Sequence, residues 1–120
     1  MAMAEYAVAH TYEVPRRFIE PGKPVEAVSG DGQVQYYCVK AEAGRRMTIR
    51  LTGMDENCDL YVRHGLPPTF RRTDMKSVRS KSADESLTVS RTRAGEYFIG
   101  VHGRHAALNG AHYILTVTME

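Results

Sequence analysis

The stretch with the densest chemistry is NCDLYVRHGLPPTF, Asn57 to Phe70. Together with the residue two places upstream, Asp55, Asn57 and Asp59 alternate as D-x-N-x-D. Three hard oxygen donors at that spacing suit Ca²⁺. The central glycine and distal glutamate of an EF-hand loop are missing, so the pattern is not that motif. Asp and Asn also bond to their own backbone and accept unusual φ/ψ, so an ordinary turn explains the same residues. On the residues alone both readings stand.

Cys58, with His64 six places on, invites a nucleophile or metal-ligand reading. A catalytic thiol needs a cationic or helix N-terminal setting that depresses its pKa. Alternation instead groups Cys58 with Leu60 and Val62 on an inward face, where cysteine behaves as a small hydrophobe. Cys38 alternates with Tyr36 and Lys40, opposite Tyr37, Val39 and Ala41. One thiol therefore points out and the other in, which is wrong for a disulfide. Two free thiols are expected. His102, His105 and His112 supply three imidazoles, but their spacing fits no zinc motif and they read as loop residues. No nucleophile elbow or phosphate loop is present, and a small hydrolase would need a nucleophile and base brought together from distant positions.

The outward positions carry more. Tyr61 lies with Asp59 and Arg63, Phe98 with Gly100 and His102, and Tyr36 with Lys40, while Arg50 leaves the outward side of its own run. Aromatics and arginine are enriched at interface hot spots. Tyr36, Arg50, Tyr61, Arg63, Phe98 and His102 are thus the predicted binding face, with rings on the solvent side suited to an extended protein or polysaccharide. The competing reading is that these rings cover the sheet against a neighbouring domain or cross-strand partners.

The elements that would position these residues are strands. MTIRLTG sets Met47, Ile49 and Leu51 against Thr48, Arg50 and Thr52; SLTVSR gives Leu87 and Val89; GEYFIGVHG gives Tyr97, Ile99 and Val101; HYILTVTM gives Tyr113, Leu115 and Val117. Each inward set is apolar, the signature of a half-buried strand. Breakers recur about every ten residues (SGDGQ, AEAG, TGMDEN, HGLPP, RAG, LNGA), as a sandwich or barrel requires. No apolar helical period is sustained. The expected fold is all-β, an antiparallel β-sandwich, with residues 1–16 as a linker or extra edge strand and 17–120 as a single domain. Pro21 and Pro24 suit an edge that must not pair further.

At 120 residues the chain is one domain's worth of core. A net charge of +2 does not by itself argue for a nucleic-acid partner, and none is expected. Arg63, Arg71, Arg72, Lys76, Arg79 and Lys81 do face only Asp74 over the same stretch, which reads as a basic loop. No apolar run is long enough to insert in a membrane. The opening MAMAEYAVAH lacks the blocks of a signal peptide, so export is expected to need a leader or a larger parent chain. A monomer is expected.

The order QYYCVKAEAG, MTIRLTG, NCDLYVRHGLPPT, GEYFIGVHG, HYILTVTM resembles the bacterial pre-peptidase C-terminal domain family, to which the collagen-binding domains of clostridial collagenases are related. DLYVRHGLPPT is similar to the family's Asp-Leu-Tyr-Val strand and Pro-Thr turn, and AGEYFIGVHG to its Gly-x-Tyr-Tyr-Ile-Gly-Val strand. The resemblance runs from about Phe18 to Met119. It implies a jelly-roll-like β-sandwich, appended without catalytic role to a secreted protease, that helps secretion, substrate attachment or processing and in some members is steadied by Ca²⁺; a collagen-like protein or a polysaccharide is the expected surface. The chain departs from the family twice. RRTDMKSVRSKSADES has no cysteine pair, and the N-terminal segment offers only scattered Glu13, Glu20 and Glu26, although DENCD keeps oxygen donors. The alternative is an assembly module of a larger chain that works without calcium.

Overall fold

A computed structural model describes residues 17–30, 32–54, 57–78, 84–103 and 110–120. Among these, nine strands form: β1 (Arg17–Phe18), β2 (Val25–Ser29), β3 (Val34–Ala41), β4 (Met47–Thr52), β5 (Cys58–His64), β6 (Met75–Ser77), β7 (Glu85–Val89), β8 (Gly95–Gly103) and β9 (Ala111–Met119). No helix occurs among the described residues. The period-two pattern explains why. In β4 every second residue is buried, and β9 repeats the pattern from Ala111 to Val117.

The strands make two facing sheets, one ordered β1-β3-β8-β5-β6 and the other β2-β9-β4-β7. All pairings are antiparallel except β1 with β3. From β2 to β9 the chain changes sheet at every step but β5 to β6, the habit of a jelly-roll-like sandwich. The expected fold is the one observed.

Between the sheets, Val39, Met47, Ile49, Leu51, Leu60, Val62, Ile99, Val101, Leu115 and Val117 are all buried. Each such side chain contributes roughly 1.5–3 kcal/mol by leaving water. Cys58 joins them, and neither cysteine forms a disulfide. Tyr37 of β3 and Tyr113 of β9 reach across the core from opposite sheets, edge to face, with hydroxyls 2.5 Å apart. That bond satisfies two polar groups that would otherwise be stranded in an apolar interior.

Two short edges depart from the sequence reading. EPGKPVEAVSGDG, broken by its prolines, nonetheless contains β2, which starts directly after Pro24 and pairs through Val25↔Leu115 to Ser29↔Ala111. Proline there ends further pairing on a sheet edge. Within RRTDMKSVRS, read as loop, lies the three-residue β6, which pairs Met75 with Val62. The proposed linker, residues 1–16, lies outside the described residues.

Candidate functional site

β5 runs between β8 and β6, so NCDLYVRH is an inner strand of its sheet. Cross-strand register builds the outer face in rows: Val34, His102 and Asp59; then Tyr36, Gly100, Tyr61 and Lys76; then Phe18, Cys38, Phe98 and Arg63. Gly100 puts no side chain between the two tyrosines. Five of the six predicted binding-face residues, Tyr36, Tyr61, Arg63, Phe98 and His102, therefore share one face. Arg50 does not; it is exposed on the outer side of the other sheet, between Thr116 and Ser86.

The expectation of solvent-facing rings is corrected. Tyr61 is only 6% exposed and Phe98 5%, and Cys38, also expected to face outward, is fully buried. Tyr36, Arg63 and His102 are half-buried. Part of the cover is the loop after β5. Gly65 turns the chain at φ 82°, a left-handed conformation that favours glycine, and Pro67, Pro68 and Thr69 are buried. Thr69 N–H donates to Arg72 O at 2.9 Å and Arg72 N–H donates to Thr69 Oγ1 at 2.8 Å. Thr73 Oγ1 sits 2.9 Å from Val62 O and 2.8 Å from Met75 O, tying the loop back to its own strands. The closed loop sets Phe70 edge-on to Tyr61, with centroids 5.5 Å apart, and to His102 at 4.9 Å. Alternation says which side of a sheet a ring takes; it does not say what lies over it.

Among the calcium candidates, Asp55 lies outside the described residues. Asp59 is 1% exposed, and its Oδ2 is 4.0 Å from Nδ1 of His102, its cross-strand partner. Asn57 Oδ1 is buried with no hydrogen-bond partner among the described residues. An orphaned buried carbonyl oxygen beside a buried carboxylate suits a hard cation, but two donors fall short of the six to eight that Ca²⁺ takes. Among the described residues no three His, Cys, Asp or Glu side chains gather as a metal set. His102 and His112 stand on different sheets, and His105 lies outside the described residues.

Cys58 and His64 sit at opposite ends of β5, about 20 Å apart at strand rise. His64 is otherwise occupied: its ring lies 4.9 Å from Tyr97, and Nε2–H donates to Ala94 O at 2.9 Å. Its backbone N–H donates to Asp74 Oδ2 at 2.8 Å. Burial pushes the Tyr37 and Tyr113 phenols above their ordinary range, Tyr113 further because its partner's hydroxyl also opposes ionisation.

Sequence reasoning missed three contributors. Phe70 sits in a loop where no period marks it. Tyr37 was placed inward but without its partner. Glu85 is fully buried at the head of β7, accepting a hydrogen bond from the Ser77 hydroxyl. Its signal was available, since Glu85 has the same parity as the inward Leu87.

Comparison with known proteins follows the same span. The family model described as bacterial pre-peptidase C-terminal domain matches residues 33–103, from before β3 to the end of β8. Alkaline serine exoprotease A of Vibrio alginolyticus is 38% identical over 90 residues, which are 74% of this chain and 17% of that protein. A zinc metalloprotease of Helicobacter pylori is 27% identical over 88 residues, 72% of this chain and 34% of that protein. The chain thus spans about a third or less of these relatives. Among solved structures, the pre-peptidase C-terminal domain of a Bacillus anthracis collagenase superposes with TM-score 0.64 at 13% identity, covering 87% of this chain and 95% of that one. PliG of Aeromonas hydrophila, a periplasmic inhibitor of g-type lysozyme, superposes with TM-score 0.69 at 18% identity, covering 88% and 96%. At such identities the likeness speaks for the fold alone.

Proposed function

The chain belongs to the bacterial pre-peptidase C-terminal domain family, and from that premise we propose that it is a non-catalytic accessory domain of a larger, secreted protease, attaching its parent to a protein or polysaccharide surface. One observation carries this reading. Matching segments occur in a serine exoprotease and in a zinc metalloprotease, in each case as a minor part of the protein. A serine nucleophile with its base and a zinc-bound water are different machines, so the part held in common is not the part that cuts. The full burial of Cys58, the thiol nearest to a nucleophile pattern, agrees with that.

Attachment then falls to groups that solvent reaches. On the outer face of the five-stranded sheet these include the exposed Phe18 and Lys76 and the half-buried Tyr36, Arg63 and His102, while Tyr61 and Phe98 form the layer beneath. Arg50 would serve the opposite face. Calcium belongs to the same proposal: Asn57 and Asp59 would hold the ion at the head of β5, with further oxygens from elsewhere, and its role there would be to stiffen the entry to that strand. It supplies no chemistry to any reaction.

A depletion isotherm tests the reading. The chain, fused to an unrelated soluble carrier, is incubated with insoluble collagen, chitin and cellulose, and the free fraction is measured. Saturable retention on at least one polymer, lowered by Arg63→Ala at unchanged melting temperature, is expected. A carrier left in solution with all three would overturn it.

A further inference from the structure

The β5–β6 edge of the five-stranded sheet carries four cations that no carboxylate among the described residues answers. Arg63 leaves β5 on the outer face, opposite Phe98. Lys76 leaves β6 on the same face, opposite Tyr61 and one diagonal step from Arg63. Arg71 and Arg72 stand exposed in the loop between the two strands. Among the described residues none of the four makes an ion pair. Asp74, the one acid between Arg63 and Val78, is committed elsewhere: its Oδ2 accepts the His64 N–H at 2.8 Å and lies 3.8 Å from the Arg93 guanidinium.

The backbone that carries the cations is also held in place. The paired Thr69–Arg72 hydrogen bonds close the loop under Arg71 and Arg72, and Asp74 N–H donates to Val62 O at 2.9 Å where β6 begins. A preformed loop loses little backbone entropy when a ligand arrives. Like charges brought together without counter-charge repel, and a polyanion relieves that repulsion while releasing its own counterions.

We propose that this edge is a binding site for a linear sulfated polysaccharide. Guanidinium forks match the paired oxygens of sulfate and carboxylate, and three of the four cations are arginines. The neighbouring rings argue against single-stranded nucleic acid, which needs exposed platforms for its bases. Tyr61 is buried, and Phe70 is turned against Tyr61 and His102. The inference stands on charge and loop geometry and does not rest on attachment to insoluble polymers.

The test is a titration of the whole chain with fluorescent heparin oligosaccharide at a series of salt concentrations. Four neutralised contacts raise the apparent Kd roughly sevenfold for each doubling of salt. The triple variant Arg71→Gln, Arg72→Gln, Lys76→Gln, all at exposed positions, is expected to bind at least tenfold more weakly, with salt dependence reduced to under about twofold per doubling. A control that removes equal charge elsewhere, Lys23→Gln, Arg46→Gln, Arg91→Gln, is expected to stay within about twofold of the unaltered chain. Melting temperatures of both variants establish that each is folded. Failure of the unaltered chain to bind heparin, an equal loss in the control, or full binding by the triple variant would overturn the proposal. So would tighter binding of duplex DNA of matched charge, which would make the site a nucleic-acid one.

Discussion

The tyrosine bridge across the core allows a sharp test of how the two sheets are joined. Tyr37 and Tyr113 are 4% and 1% exposed, and their hydroxyls, 2.5 Å apart, bond to each other. Tyr113→Phe keeps the ring and removes one hydroxyl, so the Tyr37 hydroxyl is left buried without a partner. That costs about 1–3 kcal/mol, because the stranded group has lost its water and gained nothing. At ~2.1 cal/mol/K per residue, a chain of this length has an unfolding entropy near 250 cal/mol/K, so each kcal/mol moves the melting temperature by about 4 °C. Either single variant should melt roughly 4–12 °C lower. The double variant strands neither hydroxyl and should melt close to or above the singles, leaving a coupling of at least about 1 kcal/mol in the cycle. Calorimetric or circular-dichroism melts of the four proteins supply the data. Additive losses would mean that each hydroxyl has another partner and that the bridge is not what holds it.

The same pair predicts a response to alkali. Both phenols are held above their ordinary value in the folded state, so folding favours their protonated form. The unfolded chain ionises them from about pH 10. Their contribution is complete below that value and is lost as pH rises above it. The double Phe variant should show a shallower loss of stability between about pH 10 and 12 than the unaltered chain; an identical slope would refute the assignment.

Three further outcomes are expected. Phe98→Ala should destabilise the domain by about 3–5 kcal/mol, as deletion of a buried aromatic does, instead of leaving a sound fold with weakened binding; a variant that melts normally would restore the ring to the surface. If Asn57 and Asp59 hold calcium, adding Ca²⁺ at a hundredfold its Kd should stabilise the chain by roughly 2.7 kcal/mol, and Asp59→Asn should abolish the gain. A melting curve indifferent to Ca²⁺ and chelator would remove the ion from the proposal. Cys38 and Cys58, both fully buried and outside any disulfide, should resist a thiol reagent in the folded chain and react together on unfolding; rapid labelling of either would show an open site.

Much of the fold was legible. Met47-Ile49-Leu51, Ile99-Val101 and Leu115-Val117 alternate without interruption, and each lies where its parity puts it. Cys58 passed from candidate nucleophile to core residue by the same rule. What stayed hidden depends on contacts between segments distant in sequence. β2 follows two prolines, and β6 is three residues long, so neither offers enough periods to be seen. The covered outer face is the larger miss. Tyr61 and Phe98 were assigned the correct side of their sheet, but Phe70 arrives over Tyr61 from a loop whose path is set by Thr69, Thr73 and Asp74 hydrogen bonds. No local pattern encodes that closure. The sequence marks Arg63 as a surface contact by its type and parity but leaves Arg71, Arg72 and Lys76 in a basic loop, because their common edge exists only once β6 pairs with β5.

Attachment without catalysis is tested most directly by joining this chain to the C-terminus of a soluble protease that lacks such a domain, and comparing cleavage rates on an insoluble collagen film and on a short soluble peptide. If the domain works by holding its parent on a surface, the fusion should degrade the film several-fold faster than the bare protease while cleaving the peptide at the same rate. Equal rates on the film, or a gain on the peptide as well, would contradict it.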